Sequence, residues 1–314
     1  MSWLPFWPPN ASTTASTVDD ITFGELALVA IILLLVFGMM FTFVIRYRRG
    51  STADRSHRVA KTWYFEMGWT SATLFAFLVL FAVGAKGFLY LYQPPKGDLE
   101  LYVVGKQWMW KVQYPGGQRE IDSLHVPLGK TVRVLLGSED VIHSFYIPAF
   151  RVKHDVVPGT YQTFWFKPTK LGDFQLECSE FCGTDHAKMI GTVHVLTPTD
   201  YAQWLAQSSA EPTLARQGEA LFRQYGCSGC HSARSTIHAP LLDGLYGSYQ
   251  HLADGRTMFA DERYIRDCIL LPASQRVAGY PPAMPSFAGQ IPEDDLMKLV
   301  AYIQSLGAAK EGAP

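Results

Sequence analysis

The sequence predicts a multidomain membrane protein: a two-helix transmembrane hairpin, then an all-β domain, then a small all-α domain. Three observations predict it. Two apolar runs without a charge lie near the N-terminus; short β-branched and aromatic segments separated by Gly, Pro and Asp follow; helical spacing then replaces them. A chain of 314 residues has room for about two or three domains. A net charge of −1 gives no electrostatic case for nucleic acid as a partner. The hydrophobic fraction of 48% is ordinary, so its distribution carries the information. The expected boundaries are 1–97 for the N-terminal segment and hairpin (spans of about 26–45 and 67–90), 98–198 for the β domain, 199–212 for a linker and 213–314 for the helical domain.

Residues 26–45 and 67–85 are free of charge and about 20 residues each, enough to cross a hydrocarbon core of about 30 Å as helices. Core helices of soluble proteins keep a polar face, which these runs almost lack. Residues 1–20 contain no Lys or Arg, unlike the charged start of a signal peptide, so the first run reads as a retained anchor. The connector 46–61 sets Arg46, Arg48, Arg49, Arg55, Arg58 and Lys61 against Asp54 alone. An excess of Lys and Arg keeps a short loop cytoplasmic. The chain is therefore expected to be a multi-pass protein of the cell inner membrane, with the bilayer as a partner and both termini on the periplasmic side. Tyr90 and Tyr92 suit the outer interface belt.

In the next stretch, residues 101–104, 131–136, 161–166 and 192–195 alternate partially and are bounded by turn residues, which reads as an antiparallel sandwich or barrel. Residues 197–212 are polar, with Pro198, Ser208, Ser209 and Pro212, and read as a linker with room for one short helix. Beyond Thr213 the strand signal stops. Leu296, Leu299, Val300 and Ile303 repeat at helical spacing, with Glu293, Asp294 and Asp295 in the first turn and Gly307 past the end.

The densest chemistry lies in Cys178-Ser-Glu-Phe-Cys182-Gly-Thr-Asp-His186-Ala-Lys-Met189, with a further imidazole upstream at His143. Thiolate, imidazole and thioether select copper or zinc over hard cations. Two Cys, two His and one Met exceed the ligand set of a mononuclear blue-copper site and suit two coppers bridged by both thiolates. Three other readings stand beside this: a Cys178–Cys182 disulfide in an oxidising compartment, a zinc site with His143 and His186, and Met189 as plain core.

Cys227-Ser-Gly-Cys230-His231 is a Cys-x-x-Cys-His motif, the signature of covalent c-type haem attachment, with His231 as the proximal iron ligand. Met258, Met284 and Met297 are the candidates for the second axial ligand. Met297 falls within the terminal helix as core, whereas Met284 stands in the Pro-rich Gly279-Tyr-Pro-Pro-Ala-Met-Pro285, which could present sulfur rigidly and raise the potential. Cys268 has no thiol left to pair with and reads as a small buried residue.

On these residues the chain resembles subunit II of haem–copper cytochrome c oxidases over the hairpin and the β domain. Its C-terminal part resembles class I bacterial cytochromes c, as in caa-type oxidases. The resemblance implies a cupredoxin-like Greek-key domain with binuclear copper held by His143, Cys178, Cys182, His186 and Met189 and by the backbone carbonyl of Glu180. It places the Glu180 carboxylate on a magnesium ion shared with subunit I. Gly105-Lys-Gln-Trp-Met-Trp110 resembles the family's aromatic stretch and puts Trp108 where electrons come in, with Lys106 standing where many members have His. Asp155 resembles an acid near the donor-docking surface. Glu66, ahead of Gly68-Trp69-Thr70, resembles the acid at the mouth of a proton channel.

In the cytochrome part, Gly218, Phe222 and Tyr302 resemble a crossed-helix contact, and Met284 resembles the axial ligand. Ala239-Pro-Leu-Leu-Asp-Gly244 resembles a segment whose Pro carbonyl accepts a hydrogen bond from the proximal His, with Ala239 replacing the usual Gly. The implied function is passage of electrons from cytochrome c or another respiratory donor, through covalent haem c and copper, to an oxygen-reducing subunit I, with subunit III also in the complex. Quinol-oxidase subunits II share the fold but lack the copper ligands. Nitrous-oxide reductase shares the copper loop but lacks the hairpin and has Trp at the place of Glu180. An electron-transfer subunit of another respiratory complex is a further alternative. A free carrier or copper-delivery protein would not need two redox centres and two spans.

Overall fold

The structure is a computed structural model and describes residues 7–56, 62–93, 95, 97–208, 212–233, 235 and 237–307, so Arg58 and Lys61 of the connector lie outside the described residues. The chain divides into two compact units, Thr14–Gln93 and Met1–Thr13 with Pro94–Pro314.

The first unit is helical. Helix α1 spans Thr13–Arg46 and α2 spans Trp63–Tyr92. Both are long and apolar enough to cross a membrane. Helix α1 starts well before the apolar run at 26–45, because no Gly or Pro interrupts residues 13–23. Large apolar side chains such as Leu34, Phe75 and Phe81 are exposed along both helices.

The second unit begins with ten strands: β1 Leu99–Lys106, β2 Met109–Gln113, β3 Arg119–Ile121, β4 Ser123–Pro127, β5 Val132–Ser138, β6 His143–Ile147, β7 Val152–Val156, β8 Gln162–Phe166, β9 Gly172–Cys178 and β10 Ile190–Leu196. They form two sheets of order β3-β2-β1-β5-β8 and β4-β10-β9-β6-β7. The expected purely antiparallel arrangement needs correcting, because β1 pairs with β5 and β4 with β10 in parallel. The cause is connectivity: β4 leaves the first sheet for the second, and β5 returns beside β1. Alternation of apolar residues is the same for either strand direction, so the pattern cannot reveal it.

Trp110, Phe145, Phe150, Phe166, Leu124 and Leu176 fill the space between the sheets. The segment before α1 joins this core. Ala11 is fully buried, its N–H donates to the Ala149 carbonyl at 3.0 Å, and its carbonyl accepts from the Thr169 N–H at 2.9 Å.

Helix α3, Pro198–Gln207, occupies most of the expected linker. Its Trp204 stacks on His125 with centroids 4.5 Å apart and lies 5.0 Å from Tyr114. Thr197 caps it by accepting from the Asp200 N–H.

Helices α4 Leu214–Gln224, α5 Glu262–Leu270 and α6 Glu293–Ser305 build the C-terminal part. Gly218 lets α4 cross α6 closely, since a Cβ there would lie 2.0 Å from the Lys298 carbonyl oxygen. Phe222 and Tyr302 pack at 5.2 Å beside it. A small hairpin, β11 Tyr249–His251 and β12 Thr257–Phe259, adds strand to a part expected to be wholly helical. Asp254-Gly255, with Gly255 at φ 88°, is a turn signal that three-residue arms left too weak to read.

Candidate functional site

The first site lies where three β elements converge. Strand β6 opens with His143, β9 ends on Cys178, and the loop from β9 to β10 carries Glu180, Cys182, His186 and Met189. His143 and Met189 are fully buried and both cysteines nearly so. Cys178 Sγ lies 3.7 Å from Cys182 Sγ, 4.0 Å from His143 Nδ1 and 3.3 Å from the Glu180 carbonyl oxygen. Cys182 Sγ lies 3.5 Å from His186 Nδ1 and 3.9 Å from Met189 Sδ. All five candidate side-chain donors are thus gathered, with the Glu180 carbonyl beside them and its side chain exposed.

A sulfur separation of 3.7 Å excludes a disulfide, whose bond is about 2.05 Å, and both cysteines are free. It is also shorter than twice a metal–thiolate bond of about 2.3 Å, so one ion can touch both sulfurs. The donor set fits soft-metal binding.

The His143 imidazole is held for this. His143 Nε2 is taken by Asp140 Oδ1 at 2.8 Å, which leaves Nδ1 facing the sulfurs. The same carboxylate accepts the N–H of Gln107 and Val141, and Gln107 Nε2 donates to the Cys182 carbonyl at 2.7 Å. Gly105 leaves room for the ring, since a Cβ there would lie 2.9 Å from His143 Cδ2. Sequence reasoning missed Asp140 and Gln107 as supports. The available signal was an acid three residues before a candidate ligand histidine.

Burial raises both thiols. Hydrogen bonding with His143 and with the backbone at Ser144 and Glu180 outweighs it at Cys178, bringing that thiol down to about 6. Cys182 is pushed up to about 12 by burial and by the neighbouring Cys178. The pair thus gives up one proton readily and the second with difficulty, so a bound cation is what would make both thiolates.

The other candidates stand nearby or apart. Trp108 is half-buried against Gly183, and its Nε1 is buried without a hydrogen-bond partner among the described residues. Lys106 pairs with Glu139 at 2.7 Å. Asp155 accepts from Ser144 Oγ at 2.8 Å and pairs with Lys153. Glu66 is exposed in the first turn of α2.

The second site is a cavity of about 720 Å³ in the C-terminal part, lined by Phe222, Cys227, Cys230, His231, Leu242 and Met284 among others. Cys227 opens a short turn after Gly226 and Cys230 follows it directly. His231 Nδ1 lies 2.8 Å from the Pro240 carbonyl, so Nδ1 carries the proton it donates and Nε2 stays free as a ligand. Ala239 at the usual Gly position does not prevent this bond. Of the three candidate methionines only Met284 lines the cavity; Met297 is fully buried in α6 and Met258 sits on β12. Cys268, expected to be packed away, instead lines the cavity half-buried, and burial pushes its thiol up to about 11. An apolar cavity with the paired Cys227 and Cys230 thiols, the His231 nitrogen and the Met284 thioether fits a haem.

Residues 117–196 match the family model described as the periplasmic domain of cytochrome c oxidase subunit II, and residues 215–307 match that of cytochrome c. A cytochrome c oxidase subunit 2 from Alkalihalophilus pseudofirmus is 30% identical over 93% of this chain and 88% of its own length. An alternative cytochrome c oxidase subunit 2 from Bradyrhizobium diazoefficiens is 30% identical over 70% of this chain and 91% of its own. Among solved structures, the periplasmic domain of subunit II of cytochrome oxidase from Bradyrhizobium japonicum is 36% identical over 37% of this chain and 96% of that one, with a TM-score of 0.36.

Proposed function

The chain belongs to the cytochrome c oxidase subunit 2 family, and from that premise we propose how its residues serve an oxidase. It is an electron-transfer subunit of a haem–copper oxidase, an oxidoreductase complex, with a copper-binding, cupredoxin-like β domain and a helical cytochrome c domain. Other oxidase subunits are its partners, and its sheet and haem domains are periplasmic parts of a membrane-anchored protein.

The finer reading is a binuclear copper centre held by His143, Cys178, Cys182, His186, Met189 and the Glu180 carbonyl, in a Greek-key domain of residues 98–198. Haem c is joined covalently to Cys227 and Cys230, with His231 and Met284 as axial ligands, in a domain of residues 213–314 beyond the 199–212 connection. The observation that carries it is the gathering of five soft donors around a 3.7 Å sulfur pair, apart from an apolar cavity that collects both thiols, His231 and Met284. When bound, the copper pair and the haem iron each take up and release one electron at a time.

The chain's own residues prepare both sites. Asp140 fixes the His143 tautomer, the Pro240 carbonyl fixes that of His231, and burial of His143 and Met189 keeps water out. The exposed Glu180 carboxylate is free to reach a magnesium ion shared with subunit I. Trp108, against the copper loop, is where electrons come in. Subunits I and III, and cytochrome c or another respiratory donor, complete the chain of carriers, with Asp155 at the donor-docking side.

Helices α1 and α2 cross the inner membrane with Glu66 at a proton-channel mouth. Residues 11–13 pair with the β domain that follows α2, which supports an even number of crossings and both termini in the periplasm.

Electron paramagnetic resonance of the purified complex tests the copper reading: hyperfine coupling to two equivalent copper nuclei is expected, and coupling to a single nucleus overturns it. Haem that stays with this chain through acid–acetone extraction and denaturing electrophoresis supports the covalent link, and a separated chain without haem refutes it.

A further inference from the structure

A polar connection ahead of a redox domain suggests a tethered carrier that swings between partners. The contacts between the two periplasmic domains indicate otherwise. Tyr102, Val104, Leu135 and Tyr161, on the outer face of the β1–β5–β8 side, are 0–5% exposed and share one apolar cluster with Leu296, Met297 and Val300 of α6. Gly137 makes the room: a Cβ there would lie 3.0 Å from Met297 Cε.

Charges are shut into the same interface. Arg133 of β5 reaches Glu262 of α5 at 2.8 Å and Glu100 of β1 at 2.8 Å. The Glu262 carboxylate, 3% exposed as a residue, also accepts from Tyr246 and Gln304, and Gln304 accepts from the Tyr102 hydroxyl at 3.0 Å. Arg266 of α5 lies over the Tyr161 ring, donates to the Gly159 carbonyl and pairs with Glu293. At the rim, Lys111 bridges Asp294 of α6 at 3.1 Å and Glu139 at 2.7 Å, one residue from the Asp140 that holds His143.

We propose that Arg133 and Glu262 are positioning residues that lock the cytochrome domain onto the outer face of the β1–β5 sheet and so fix the route from its haem cavity to the copper cluster. The inference rests on the functional reading above. Domains of one chain move by default unless their interface holds them; here a shared apolar cluster and the Arg133–Glu262 pair join the two. A buried ion pair adds register: sliding the domain would take the Glu262 carboxylate from its cationic partner and leave Arg133 with Glu100 alone. With the domain held there, Cys227, Cys230, His231 and Met284, which would hold the haem, and His143, Cys178, Cys182, His186 and Met189, which would hold the copper, keep one separation, so the one-electron exchange those groups would supply would run over a fixed path.

The test uses the full chain in the purified oxidase, with a protease site placed at 209–211. After cleavage the wild-type cytochrome domain should stay bound, and flash-initiated transfer from haem to copper should not change with glycerol viscosity. Glu262→Gln should weaken retention at least tenfold, slow transfer at least tenfold and make it viscosity-dependent, with both centres' spectra unchanged; Glu262→Asp should recover part of each. Immediate loss of the cleaved wild-type domain, viscosity-dependent transfer in the wild type, or a Glu262→Gln protein that behaves as wild type overturns the proposal. Should Glu262→Gln fail to take up haem, Lys111→Glu at the rim is put through the same assay, with a smaller loss in the same direction expected and no change overturning it. A wild type without copper or haem signals would refute the functional reading, while the cleavage assay still decides the docking.

Discussion

At the residue scale, the cluster of sulfur and imidazole donors was legible because thiolates, imidazole and thioether rarely crowd into so short a stretch, whereas their supports were not. Asp140 is an ordinary loop acid in the sequence; only the turn between β5 and β6 brings its carboxylate 2.8 Å from His143 Nε2. Met284 was preferred over Met258 and Met297 for its Pro-rich setting, and of the three it is the one that lines the cavity. Cys268 was misjudged because a lone thiol beside apolar neighbours looks the same whether they are core or a cofactor's wall. Asp140→Asn keeps the loop's shape but gives the imidazole a neutral partner, so copper affinity is expected to fall about 10–100-fold. Competition with a chelator, at unchanged far-ultraviolet dichroism, measures it; equal affinity would show that Asp140 does not orient His143.

Among elements, existence was easier to read than pairing. Strands and helices announce themselves by period, but the parallel β1–β5 and β4–β10 pairs depend on where the chain changes sheets. The short helix allowed for in the linker is α3, but its packing was not legible, because Trp204 finds its stacking partner His125 far back in the chain. The α4–α6 crossing was legible from one glycine. Helix propensity alone would make Gly218→Ala stabilising by about 1 kcal/mol. The Cβ would sit 2.0 Å from the Lys298 carbonyl oxygen, however, and overpacking costs about 1–3 kcal/mol, so the balance is expected to be a net loss. Denaturant titration followed by haem absorbance reads the sign directly.

For the whole molecule, the order of domains was legible from composition and their docking was not. Tyr102, Leu135 and Tyr161 read as ordinary strand residues, and nothing local says that the face they occupy is covered by α6. The docked state should respond to acid. Burial alone would raise the Glu262 carboxyl, but the hydrogen bond and charge of Arg133, with Tyr246, hold it below the usual range. Its contribution is therefore full above the unfolded carboxylate's range and disappears as pH falls through the lower folded value. Glu100 has the opposite sign, since burial holds its carboxyl up and protonation relieves it. Retention of the cleaved cytochrome domain is expected to drop on the acid side of roughly pH 4, and Glu262→Gln should abolish that slope. A slope that persists in the variant would assign it to other carboxyls.

The buried Ala11 has a consequence in time. A chain emerges N-terminus first, and the partners of Ala11, at Ala149 and Thr169, are made well over a hundred residues later. At about 5–20 residues per second, Ala11 waits roughly seven to thirty seconds for its place to exist. That place lies inside the sheet core, so it closes when the strands around it assemble. The leading segment must therefore be at hand when those strands close over it, which makes its timely placement a condition for finishing the β domain.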